Sequence, residues 1–167
     1  GRADIDHNGL IKRWYGTCTN TEEQITLSQE LYTAHLAVEL ERQKFETLFH
    51  GAPAAMAILK GPNFIFERVN TEFANIFYDR ELIGQTLTHA IPEFTQRSDL
   101  MEKMREVFNT GVSYSVKEMK SILSNDGPFS LPQYVDITYK RMNSADGLPY
   151  GIYIFATNVT EKVHARK

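Results

Sequence analysis

Cysteine is nearly absent: the 167-residue chain holds one, Cys18. A single thiol cannot build a disulfide framework, so a packed core must hold the fold, and the composition suits a reducing compartment. Long apolar runs are also missing. None approaches the roughly 20 residues that cross a bilayer, so no membrane segment is expected and the location expected is cytoplasmic. Charge of one sign is scarce, with a formal net charge of -3. Bulk electrostatics therefore gives no reason to expect nucleic acid or an anionic membrane as partner. Enzyme signatures are lacking too: no phosphate-cradling glycine loop, no nucleophile elbow, no H-E-x-x-H, no kinase ATP lid and no phosphoacceptor-histidine box. No group of His, Cys and carboxylates has metal-ligand spacing, so no metal is expected. Acid–base chemistry from Glu118 or Asp136 is the one catalytic alternative these residues leave.

What is present centres on residues 144–161, SADGLPYGIYIFATNVTE. Asp146-Gly147 signals a tight turn, because glycine takes positive φ without steric cost. Ile152 to Ala156 form a continuous apolar run that suits a buried central strand. Thr157-Asn158 then leads into a helix start. Shifting the chain by 138 residues lays Asp6–Asn20 on Ser144–Asn158 without a gap. Five of fifteen positions are identical: Gly9 with Gly147, Leu10 with Leu148, Tyr15 with Tyr153, Thr19 with Thr157 and Asn20 with Asn158. They fall at the turn, the strand and the exit. We read them as an internal repeat at domain spacing rather than chance between two β-turn-β segments. Residues 1–20, with a strand from Leu10 to Cys18, are then the tail of one unit, and a whole unit of the same kind follows. Cys18 reads as a half-buried small residue, with no neighbouring base to make a thiolate.

Between them, Thr21-Glu22-Glu23 opens a helix, its acidic residues at the positive end of the dipole. Leu27, Leu31, Ala34, Val38, Glu41, Phe45 and Leu48 are spaced 4, 3, 4, 3, 4, 3, a heptad seam interrupted only at Glu41. A parallel homodimer through Leu27, Leu31, Ala34, Val38, Phe45 and Leu48 is the expectation. An amphipathic helix packed on its own domain is the alternative. Gly51-Ala52-Pro53 ends the helix.

Two short strands follow, 55–59 and 64–69. Asn70 is placed to cap a helix from Thr71, with Phe73, Ile76 and Phe77 on one face. Arg80–Gly84 reads as a short helical turn, and His89–Phe94 as another. Ser98 caps a longer helix over Asp99–Asn109, with Leu100, Met104, Val107 and Phe108 inward. A strand over Val112–Ile122 places Tyr114, Val116 and Glu118 on one face. Asn125–Pro128 is a turn. Residues 134–142 alternate Tyr134, Asp136, Thr138 against Val135, Ile137, Tyr139. Beyond Val159 an exposed helix is expected. This order fits an antiparallel five-stranded sheet with helices on one face.

Several phrases, taken in order, identify a family: Phe45–Phe49 before Ala52-Pro53, Val69–Phe73, Glu81–Leu87, Asp146-Gly147 with Gly151, and Thr157–Glu161. Together they resemble a PAS domain of the kind found in tandem in bacterial sensor histidine kinases, and Arg13–Asn20 looks like the end of a preceding PAS unit. The likeness covers nearly the whole chain. It implies an α+β PAS fold: a five-stranded antiparallel sheet with short helices on one face, preceded by a long N-terminal helix. The implied division is 1–20, the C-terminal tail of a preceding PAS unit; 21–50, a coiled-coil-like linker helix; 51–160, the PAS domain; and 161–167, the start of an exit signalling helix. In such families the last strand leaves through an Asp-Ile/Val-Thr motif. Here the Asp position is Asn158, and Asn20 upstream. The charge is lost, but an asparagine can still cap the helix.

The resemblance also implies a pocket between sheet and helices. Its candidate liners are Met56, Ile58, Phe66, Phe73, Phe77, Leu87, Met104, Phe108, Tyr114, Val116, Ile137 and Phe155, which as aromatic, methionine and branched residues equally suit a solid core. Tyr114, Tyr134 and Glu118 are the polar groups expected to meet a ligand. A cysteinyl-flavin type needs a cysteine that residues 70–90 lack, and a haem type often takes a histidine from the longer helix, which has none. Neither cofactor is expected; an unidentified small molecule stays open. The implied function is a non-catalytic sensory or relay module of a cytoplasmic signalling protein, its parent a sensor histidine kinase. It takes a state from the adjacent PAS unit through 21–50 and passes it to an output domain through Thr157, Asn158, Thr160 and Glu161. A small-molecule receptor and a ligandless dimerisation spacer are the alternatives.

Overall fold

In the computed structural model residues 2–17, 20–121, 132 and 134–167 are described. The chain divides into two units, Gly1–Phe45 and Glu46–Lys167. The first holds a hairpin of β1 (Arg2–Ile5) and β2 (Ile11–Tyr15), then most of the long helix α1 (Thr21–Gly51). The Asn20 side-chain oxygen accepts from the Glu23 amide at 3.4 Å, so the helix starts where the acidic phrase predicts. Cys18 lies outside the described residues.

The second unit takes the end of α1 and continues through β3 (Ala55–Lys60), β4 (Ile65–Val69), α2 (Thr71–Ile76), α3 (Leu87–Ala90), a 3-10 turn (Pro92–Gln96), α4 (Ser98–Thr110), β5 (Tyr114–Lys120), β6 (Tyr134–Asn143), β7 (Pro149–Asn158) and α5 (Thr160–Ala165). The sheet order is β4-β3-β7-β6-β5, every pair antiparallel. The apolar run predicted as a central strand is β7, the middle of the five. Ala57, Leu59, Ile137, Tyr139, Ile152 and Ile154 face the helices. Phe73, Phe77, Leu87, Ile91, Leu100, Met104 and Val107 meet them from α2, α3, the following turn and α4. Gly151 is required where β7 crosses β3, since a Cβ there would lie 2.1 Å from the Leu59 carbonyl oxygen.

Asn70 fastens the start of this unit. It is fully buried. Its oxygen accepts from the amides of Met56 (2.9 Å) and Phe73 (3.0 Å), and its amide donates to the carbonyls of Phe49 (3.0 Å) and Ala54 (2.7 Å). The predicted helix cap thus also joins the end of α1 to β3.

The internal repeat is structural as well. In the first hairpin Arg2, Ala3, Asp4 and Ile5 pair with Tyr15, Trp14, Arg13 and Ile11, with a register shift between Asp4 and Ile5. Advanced by 138 positions, the same pairs stand in the second: Lys140, Arg141, Met142 and Asn143 with Tyr153, Ile152, Gly151 and Pro149, shifted between Met142 and Asn143. Gly9 and Gly147 both sit at φ 81°. Each donates to the residue three before it, Asp6 at 3.0 Å and Ser144 at 2.9 Å.

Four local expectations are corrected. Residues 80–84 form no helix; a turn closed by the Gln85 amide on the Leu82 carbonyl (3.0 Å) leads back to β4, where the Gly84 amide bonds Phe66. Ser98 lies inside α4 rather than capping it; Arg97 stands at the cap position, and its side chain caps no backbone amide of the helix. The exit helix is not wholly exposed, for Val159 and Val163 are buried. Finally, β5 carries a register shift between Val116 and Met119. That shift breaks the alternation, so Met119, not Glu118, takes the inward position after Val116. The expected turn at 125–128 lies outside the described residues.

Candidate functional site

A cavity of about 80 Å³ lies between the inner face of the sheet and the helical layer. Its origin is a volume deficit. Ala55 of β3 pairs with Ala156 of β7, so the two central strands set two methyl groups side by side where larger side chains would fill the space. Ile154, Ile137, Val135 and Met119 complete the sheet side. Phe73, Ile76 and Phe77 of α2, Leu87 of α3, Phe94 of the 3-10 turn and Leu100 of α4 form the other wall, with Ser121 and Pro132 at the rim of the set.

Of the twelve expected liners, Phe73, Phe77, Leu87 and Ile137 line this cavity. Phe66 and Met104 are buried in the core away from it, and Phe108, Tyr114 and Val116 pack against the core as half-buried residues. Met56, Ile58 and Phe155 alternate with inward-facing neighbours and stand on the opposite face of the sheet, where Phe155 meets the Tyr153 ring at 6.5 Å. Sequence reasoning missed the other ten lining residues, Ala55, Ala156 and Met119 among them. An alanine signals nothing by itself, and the bulge that turns Met119 inward leaves no pattern in the strand.

The polar groups lie elsewhere. Tyr114 stacks on Tyr139 at 6.0 Å. Tyr139 is fully buried, and its hydroxyl has no hydrogen-bond partner among the described residues. Burial pushes its pKa well up, with the neighbouring Tyr114 adding to the rise. Beside it Arg97 is held in a fork by Asp99 (3.0 and 2.9 Å) and reaches the Met119 sulfur at 3.9 Å. The fork holds the Arg97 pKa above and the Asp99 pKa below their ordinary values.

The bulge in β5 carries charge. Glu118 has φ 52°, a left-handed conformation that costs a residue with a Cβ. Asp136 holds it there: its carboxylate accepts from the Glu118 amide at 2.8 Å and meets the Lys117 ammonium at 3.3 Å. The Glu118 carboxylate pairs with Arg166, just past α5. Glu118 and Tyr134, expected at a ligand, are thus engaged at the exit, where the Tyr134 ring meets His164 edge-on and lies under Lys167.

At the exit itself, the Asn158 oxygen accepts from the Thr160 amide at 3.0 Å, and the Thr160 hydroxyl accepts from the Tyr134 amide at 3.2 Å. The expected cap is corrected: Val159, not Asn158, stands at the cap position of α5 and no side chain caps the helix, while Asn158 closes a turn on the Thr160 amide just before it. Thr157 pairs with Asp136 across the sheet, and Glu161 is exposed. The heptad residues Leu27, Leu31, Ala34, Val38, Phe45 and Leu48 are all exposed, Leu31 and Val38 by 72% and 67%. An apolar row left this open has area to give to a partner. Among the described residues no helix is long and apolar enough to cross a membrane, and no three His, Cys, Asp or Glu side chains gather as a metal site.

No family model matches the sequence. Solved structures do match the fold. A PAS domain from Colwellia psychrerythraea aligns with TM-score 0.52 and 12% identity over 74% of this chain and 98% of that one. VqmA bound to DPO aligns with TM-score 0.56 and 19% identity, covering 74% of this chain and 58% of VqmA. The VqmA dimer of Vibrio cholerae, determined without its target DNA, gives TM-score 0.55 and 19% identity over 70% and 52%. The alignments span a little over half of each VqmA chain. The chain therefore has the PAS fold, an α+β architecture whose five-stranded antiparallel sheet carries its short helices on one face.

Proposed function

We propose that this chain is a non-catalytic sensory and relay module of a cytoplasmic signalling protein, a sensor histidine kinase being the parent the sequence phrases favour. A state arrives from a preceding PAS unit, whose last hairpin is β1–β2, travels along α1 and leaves through Asn158–Glu161 and α5. The observation that carries this reading is the hairpin repeat. The same register, bulge and turn glycine occur twice, 138 positions apart. The same kind of hairpin therefore precedes α1 and lies before α5, which supports reading α1 as a connector between like units.

Two copies pair along the heptad seam. A helix pair can rotate or slip between two packings, and a signal acts by favouring one of them. The exposed apolar row supports this, and VqmA is described as a dimer. Val38→Asp places a charge in the seam and is expected to convert a dimer to monomer by light scattering at micromolar concentration. An unchanged dimer mass removes the seam from the proposal.

A second reading, a receptor for a small molecule, is favoured by the cavity on Ala55 and Ala156. VqmA, of similar fold, has been determined bound to DPO.

A further inference from the structure

The Tyr139 hydroxyl is the one buried side-chain polar atom without a partner among the described residues. Asn70, equally buried, makes four hydrogen bonds. An unpaired hydroxyl away from water is a cost that phenylalanine would avoid at nearly the same volume. No neighbouring group bonds it. Tyr114 offers it a ring face, and the nearby guanidinium of Arg97 has only donors, already forked onto Asp99. Burial holds the phenol in its protonated form, so it remains a donor with nothing to donate to.

Tyr139 stands next to the cavity wall rather than in it. Ile137, two residues earlier on the same strand face, is a wall residue, and so is Met119, whose sulfur Arg97 touches. Leu100, on the first turn of α4 beside Arg97 and Asp99, is a third. Met119 is the adaptable member: its chain is unbranched and can swing between rotamers without moving the backbone. Among the described residues the wall is otherwise aliphatic and aromatic, with Ser121 its only hydroxyl-bearing member. An ion enclosed there would lack a counter-charge, which excludes charged ligands.

We infer that the cavity takes a small, uncharged, largely apolar molecule bearing one hydrogen-bond acceptor, and that the Tyr139 hydroxyl donates to that acceptor once Met119 gives way. This rests on the receptor reading above and names its ligand class and its anchor. The apolar body is taken up by Phe73, Phe77, Leu87 and Ile154, and the acceptor sets its direction.

Two probes of equal shape test it: cyclohexanone, which has an acceptor oxygen, and methylenecyclohexane, which has a CH₂ in its place. Both are titrated into the full 167-residue chain and followed by amide chemical shifts. The wild type is expected to bind the ketone about fivefold more tightly than the hydrocarbon, the worth of one net hydrogen bond. Tyr139→Phe is expected to bind both equally, and to melt no lower than wild type when free. Equal binding of both probes by the wild type, or a ketone preference that survives Tyr139→Phe, overturns the anchor and leaves the receptor reading standing. A lower melting temperature of the free Tyr139→Phe protein also overturns it, because the hydroxyl then has a structural partner. Binding of neither probe ends the receptor reading and the anchor together.

Discussion

Asn70 shows how much one side chain can organise. An amide has two acceptor lone pairs and two donors, and here all four are used on backbone groups of three segments. A leucine of similar volume would leave two carbonyls and two amides buried and unpaired. Asn70→Leu is therefore expected to lose about 4 kcal/mol of stability, most of the margin of an ordinary domain. Urea unfolding followed by far-UV circular dichroism measures it, and a loss under about 1 kcal/mol would mean that water replaces the amide. Glu118 shows the opposite economy: a residue kept in a strained conformation because Asp136 and Arg166 hold it.

Between elements, the helical layer is tied by one charge pair. Arg80, in the turn after α2, forks onto Glu93 of the 3-10 turn at 2.7 and 2.5 Å and also reaches the Ala90 carbonyl at 3.4 Å. Both side chains are 29% exposed. The hydrogen bonds from Arg80 hold the Glu93 pKa below its ordinary 4.5, against the opposing effect of burial. A carboxylate with a depressed folded pKa contributes stability that is complete above its unfolded pKa and is lost as pH falls through the folded value. Arg80→Met is thus expected to cost about 1 kcal/mol between pH 6 and 8, and the gap to wild type should close as pH drops below 4.5. Urea midpoints at stepped pH test this; a gap that persists unchanged at low pH would assign the loss to the Arg80 guanidinium over the Phe77 ring, 5.6 Å from its centroid.

At the scale of the whole molecule, the cavity separates a receptor from a filled scaffold. A solid core resists an added side chain, at a cost of about 1–3 kcal/mol. A real void accepts it. Ala156→Leu projects into the floor of the cavity and is expected to raise stability by about 1 kcal/mol, the gain from burying more apolar carbon. The same change should abolish binding of cyclohexanone. Calorimetry and a repeat titration measure both effects. A lowered melting temperature would show that the space between Ala55 and Ala156 closes in solution.

Local chemistry in the sequence determined the elements and their faces. The turn glycines, the Asn70 cap, the apolar faces of α2 and α4, the alternation along β6 and the hairpin repeat are properties of neighbouring residues, so they can be read along the chain. The site depends on sums across the sheet. Ala55 and Ala156 make a cavity only because β3 and β7 pair in the register that sets them opposite each other. Met119 enters the wall only because β5 carries one extra residue, Lys117 and Glu118 standing opposite Asp136 alone, and a bulge is decided by the fit between strands rather than by either strand alone. Tyr139 lacks a partner among the described residues because the fold stacks its ring on Tyr114 while the neighbouring Asp99 carboxylate is taken by Arg97. Pattern along a strand assigns a side chain to a face, but volume and hydrogen-bond balance are settled where residues distant in the chain meet. For that reason the PAS-like order was legible before the structure, and the cavity, its wall and its unpaired donor were not.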